Sequence, residues 1–113
     1  MEEINNDSFE ISKENIEFYK QNGYIKLKNV LTKRILEKYK KEISELVYKL
    51  NTMNKPFNER TTYEKAFLQL INLYQHNKMV EEFVFSKRLG KIAADLMQVD
   101  GVRLYHDQAL YKE

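Results

Sequence analysis

The hydrophobic positions of this chain fall into short runs of changing period. Ile16 and Tyr19 lie three apart in a segment that Ser12 can cap and Gly23 can stop in the left-handed conformation, with Ile11 and Ile16 placed as a hydrophobic staple; the pattern predicts a short helix to about Asn22. Tyr24-Ile25-Lys26-Leu27-Lys28 alternates apolar and charged residues, which predicts a strand wet on one face. Leu36, Tyr39, Ile43, Leu46, Val47 and Leu50 then recur at spacings of three and four behind a Thr32 cap, with Leu31 and Leu36 as a second staple. The opposite face carries Lys33, Glu37, Lys38, Lys41, Glu45 and Lys49, a solvated face with two Glu-to-Lys pairs four apart.

Asn51 to Arg60, containing the single proline Pro56, reads as a loop, and Thr61 with Glu64 forms a capping box for a helix packing through Tyr63, Phe67, Leu70, Ile71 and Tyr74. Met79 to Phe85 is helical and apolar in pattern, and Ser86 caps a further helix burying Leu89, Ile92, Ala93 and Leu96. Asp100-Gly101 turns the chain into a final strand, on which Val102, Leu104, His106, Gln108 and Leu110 share one face and Arg103, Tyr105, Asp107, Ala109 and Tyr111 the other. On this reading His106 and Gln108 interrupt a core-facing apolar stripe, and the strand has no partner to pair with. The expected fold class is α+β: a polar leader over residues 1–11, then one domain over 12–113 with four or five helices and two short or medium strands.

Length and charge narrow the function less than they narrow the fold. With 113 residues there is room for one domain. Nineteen Lys plus Arg against seventeen Asp plus Glu are dispersed along the chain, so electrostatics name no partner and a nucleic-acid reading of the Lys/Tyr segments at Tyr39-Lys40-Lys41 and Tyr48-Lys49 is weak. The absence of cysteine excludes disulfides, thiolate zinc sites and a cysteine nucleophile. An acidic polar start and the lack of an apolar run near the roughly 18 residues of a membrane span lead us to expect a soluble, cytoplasmic protein without membrane partners.

Two histidines limit metal chemistry. A non-haem iron site wants two histidines and a carboxylate, and neither His76 nor His106 begins a His-x-Asp or His-x-Glu; His106 and Asp107 project to opposite strand faces. A complete metal site within the chain is therefore not expected. His76 reads as a helix-end residue beside the negative pole of the dipole. His106 either hydrogen-bonds within a sheet wall or stands at the rim of a substrate pocket, and Gln69, Asn72 and His76, on one side of their expected helix, form either a pocket strip or a surface. Glycine-rich phosphate loops and a Gly-x-Ser-x-Gly elbow are missing, and Glu2-Glu3 and Glu81-Glu82 have no partner base.

The run from Phe18 through Asn22-Gly23-Tyr24 to Asn29-Val30-Leu31, followed by a long amphipathic helix, resembles the opening of the phytanoyl-CoA dioxygenase family of iron(II)/2-oxoglutarate-dependent oxygenases. Phe67 to Tyr74, Phe83 to Gly90 and Val99 to Lys112 look like its next helices and an early barrel strand, so the resemblance covers nearly everything from Glu14 onward. It implies the N-terminal part of a double-stranded β-helix, or jelly roll, whose helices buttress one sheet, and a parent reaction that hydroxylates an unactivated carbon of an acyl-CoA thioester or another small molecule. It further implies that Gln108, and Asn72 or Gln69, lie near 2-oxoglutarate, while the His-x-Asp and distal His that hold iron(II) follow this strand and are not among these residues. Catalytic and metal-ligating residues are then expected to be none within the chain, which would be inactive alone and prone to associate through its last strand. The rival expectation is a non-catalytic helical interaction or regulatory protein that keeps an oxygenase front end, or the product of a truncated gene.

Overall fold

The computed structural model describes residues 3–5, 8–51, 57–59, 61 and 67–112. They form an α+β arrangement in which helices α1 (Lys13–Asn22), α2 (Lys33–Leu50), α3 (Lys78–Val84) and α4 (Lys87–Met97) accompany a two-stranded antiparallel sheet of β1 (Phe67–Ile71) and β2 (Gln108–Lys112). Short 3-10 turns stand at Glu3–Asn5, Phe57–Glu59 and Leu73–Gln75.

The helix ends follow the capping signals. The Ser12 side chain accepts the Asn15 N–H while Asn15 Oδ1 accepts the Ser12 N–H, and Gly23 closes α1 at φ 75°, its N–H donating to the Tyr19 carbonyl. Thr32 caps α2 through the Ile35 N–H, and Ser86 caps α4 through the Leu89 N–H. Asn77, unnoticed in the sequence, caps α3 by accepting from both the Met79 and Val80 N–H groups at 2.8 and 3.1 Å.

Helix α2 is the spine of two connected cores. Its C-terminal half places Leu46 and Val47 with Leu73 and Val80, against which Leu70 of β1 and Ala109 of β2 pack; its N-terminal half joins Ile35 and Tyr39 to Ile4, with Phe83, Leu89 and Met79 around them. Ile43 touches both. The Tyr39 ring lies 5.2 Å from that of Phe83. Ile35 takes the inward position expected of Leu36, which is half exposed, while Tyr39, Ile43, Leu46 and Val47 keep the inward places predicted for them. On α4 the buried positions are Arg88, Ile92 and Ala94, with Leu89 partly buried. Buried Arg88 reaches across to the bend that precedes α2, its guanidinium donating to the Val30 carbonyl at 2.8 Å.

Four expectations are corrected. Phe67 to Ile71 is a strand and not a helix: this short stretch of Phe, Leu and Ile satisfies both a helical and an alternating period, and pairing with β2 decides between them. The capping-box partner Glu64, and Tyr63, lie outside the described residues. Tyr24 to Lys28 is not a strand; the alternation survives, with Ile25 and Leu27 half-buried between exposed neighbours, yet no strand among the described residues pairs with it. The final strand is shorter than expected, the chain from Gly101 to Asp107 being irregular, and it does have a partner. The polar leader is no mere leader, since Ile4 is wholly buried and Asn5 Oδ1 accepts from the Lys87 N–H and the Ser86 hydroxyl at the start of α4.

Candidate functional site

The candidate site is the sheet and the turn at its end. Register pairs Phe67 with Lys112, Gln69 with Leu110 and Ile71 with Gln108. Because Leu70 and Ala109 sit against the α2 core, strand alternation turns Ile71, Gln108 and Leu110 to the other face, where all three are exposed. The sequence reading had these faces reversed: Gln108 and His106 are exposed, and the helix-backed side holds Asp107 and Ala109. The reversal follows from the partner, as the α2 core can accept alanine and Leu70 closely, whereas the broader stripe of Leu104, His106, Gln108 and Leu110 contains two polar groups that stay hydrated.

Asp107 is the residue that organises this end of the sheet. Its carboxylate accepts the Leu73 N–H at 2.8 Å and the Tyr74 N–H at 3.0 Å, while its carbonyl accepts the Asn72 N–H at 2.9 Å. Both carboxylate oxygens thus serve the first donors of the 3-10 turn Leu73–Gln75, thirty-odd residues away in sequence, and no local motif signals such a bond. Asn72, between β1 and that turn, is held left-handed at φ 59° and ψ 47°, and its Oδ1 is buried with no hydrogen-bond partner. Such an orphan acceptor is uncommon in a folded protein.

The two histidines do not meet at this site. His76 ends the 3-10 turn, exposed, with its N–H donating to the Leu73 carbonyl at 3.0 Å. His106 is exposed and lies against the Tyr105 ring at 4.8 Å, so it is not buried within a sheet wall. Gln69, Asn72 and His76 are not one helical strip, since they lie on a strand, at its end and after a turn. Of Gln69 the register alone is described, opposite Leu110.

The residues present do not fit an iron site. Asp107 spends both oxygens on backbone donors, and among the described residues no three His, Asp or Glu side chains converge to hold a metal ion. Gln108 does offer a free amide on the open face, a group suited to a carboxylate such as that of 2-oxoglutarate. An open groove of about 400 Å³ runs between α4 and residues 102–105, lined by Val84, Leu89, Ala93, Met97, Val102 and Leu104 among others. It includes neither Gln108 nor Asn72. The Lys91 ammonium holds its proton above the usual lysine range because Asp95 Oδ2 accepts from it at 2.7 Å and adds its charge; the pair lies on the solvent side of α4.

Among the described residues no helix is long and apolar enough to cross a membrane. No family model, curated protein or solved structure matches the chain.

Proposed function

We propose that these 113 residues are the N-terminal scaffold of an iron(II)/2-oxoglutarate-dependent oxygenase of the phytanoyl-CoA dioxygenase kind, with the sheet β1–β2 as the first wall of a jelly roll. The observation that carries this reading is the two-sided sheet: helices cover one face through Leu70 and Ala109, while the opposite face presents Gln108 between Ile71 and Leu110, which are 50 % and 48 % exposed. A β-wall of this kind is complete when a second sheet closes over its apolar positions and encloses the polar group among them. The resemblance of Val99 to Lys112 to an early barrel strand puts Gln108 where a co-substrate carboxylate would meet it. Iron ligation in this reading falls to residues outside these 113.

The test is an assay of the native gene product for iron-dependent conversion of 2-oxoglutarate to succinate. Gln108→Leu keeps the strand and removes the amide; losing one hydrogen bond of about 1 kcal/mol predicts a roughly fivefold rise in the 2-oxoglutarate KM. A product that makes no succinate from 2-oxoglutarate with iron present, or an unchanged KM in the variant, contradicts the assignment.

A further inference from the structure

We infer that Asn22 is a site of spontaneous modification, in which its side chain closes onto the Gly23 nitrogen and loses ammonia, and that the last turn of α1 is the gate to that reaction. The inference stands independently of the oxygenase reading. Of the asparagines in the chain, only Asn22 is followed by glycine. The backbone nitrogen after an asparagine is one ring-closing step from Cγ of that side chain, and glycine, with no Cβ, lets the nitrogen approach and the backbone reach the cyclic geometry. The Gly23 nitrogen bonds to Cγ of Asn22 and gives its proton to solvent hydroxide; the Cγ–Nδ2 bond breaks, and Nδ2 takes a proton from water and leaves as ammonia. Water then opens the five-membered imide at either carbonyl. Opening at Cγ leaves aspartate in an unaltered backbone, and opening at the α-carbonyl leaves isoaspartate, whose main chain runs through the side-chain CH2. The balance is asparagine plus water to aspartate or isoaspartate plus ammonia, with no oxidant or cofactor.

The fold holds both reacting groups back. Asn22 Nδ2 donates to the Phe18 carbonyl at 2.8 Å, so the side chain leans back along the helix, away from the nitrogen that would attack it. That nitrogen is occupied too, the Gly23 N–H donating to the Tyr19 carbonyl at 2.8 Å. The rings of Phe18 and Tyr24, on either side of the dipeptide, meet edge to face with centroids 5.6 Å apart. Yet the gate is weak. No residue of α1 is fully buried, and Asn22 and Gly23 are both exposed. A helix held by so few buried contacts opens at the low end of a protein's range of local stabilities, and each opening frees the two groups together. The products also differ from asparagine in charge: a carboxylate at residue 22 stands at the negative pole of α1 and has no donor for the Phe18 carbonyl, so the modified helix end closes less well.

The test is peptide mapping of the native protein held in mildly alkaline buffer, with and without urea. Trypsin releases residues 21–26, in which Asn22 is the one asparagine; fragment spectra that place a gain of about 1 Da on Asn22 report the reaction, and an isoaspartyl methyltransferase reports the isoaspartate branch. The rate is expected to be at least roughly tenfold lower in the folded protein than in urea, the factor that two backbone-anchored hydrogen bonds supply. Ser12→Ala removes the N-cap of α1 and is expected to speed the folded-state reaction about fivefold without changing the rate in urea. Thr32→Ala, which uncaps α2 instead, should leave both rates unchanged. Gly23→Ala, compared in urea, should slow the reaction roughly tenfold, since its Cβ obstructs ring closure. Should a cap variant fail to fold, exchange of the native Gly23 N–H decides: it is expected to exchange faster than the core amides of Leu46 and Val47, and exchange as slow as theirs overturns the local gate. No mass gain at Asn22, equal rates in folded and unfolded protein, or Ser12→Ala acting no more strongly than Thr32→Ala overturns the inference.

Discussion

Asp107 and Asn72 meet where β1 gives way to the turn Leu73–Gln75, and their chemistry makes that corner the most sensitive point of the sheet. Two N–H groups depend on one carboxylate, and each charge-assisted bond contributes roughly 1.5–3 kcal/mol before its partial exposure to water is discounted. Asp107→Ala is therefore expected to cost about 2 kcal/mol, read as a lower urea midpoint, and Asp107→Asn about half of that, since one acceptor oxygen remains. Equal midpoints for the three proteins would show that Asp107 does not hold the corner. Asn72 carries the opposite sign. Its left-handed backbone and orphan buried Oδ1 are both relieved by Asn72→Gly, expected to raise stability by roughly 0.5–1 kcal/mol and hence the melting temperature by a few degrees. A lower melting temperature would mean that the asparagine amide supports the turn.

At the scale of elements, two glycines in helical contexts separate backbone conformation from packing. Gly23 ends α1 at φ 75°, so Gly23→Ala is expected to cost about 1 kcal/mol. Gly90 lies inside α4 without a left-handed angle, and a Cβ built there would meet Val102 Cγ2 at an ordinary 3.8 Å; Gly90→Ala is expected to stabilise by roughly 0.5–1 kcal/mol. Thermal melts of the two variants should move in opposite directions, and a loss in both would place Gly90 in a tighter contact than the one described. What could be read from sequence follows the same division. The caps at Ser12, Thr32 and Ser86 and the stop at Gly23 are local chemistry, and all four were legible. The strand Phe67–Ile71 was not, because its residues obey two periods at once and the partner that decides lies some forty residues on. The facing of β2 failed for a related reason: alternation says which residues share a face, but only the α2 core, met through Ala109, says which face is inside.

On the scale of the whole molecule, α2 joins two small cores, and the sheet leaves an apolar face and an outer edge bare among the described residues. Those features set the terms for function. Capping and periodicity indicated helices packed with strands, while the candidate site was only partly legible: Gln108 was singled out but expected to be buried where it is exposed, and Asp107 was overlooked because its partners are distant in sequence. Among the described residues no three His, Asp or Glu side chains converge to hold a metal ion. The central claim is that this helix-backed sheet is the opening of an oxygenase barrel, and the most direct measurement is the intact mass and sequence of the native gene product. A native protein that continues past Glu113 through a glycine-rich loop into His-x-Asp and a later histidine is the predicted result. A stable 113-residue native protein with nothing further would contradict it.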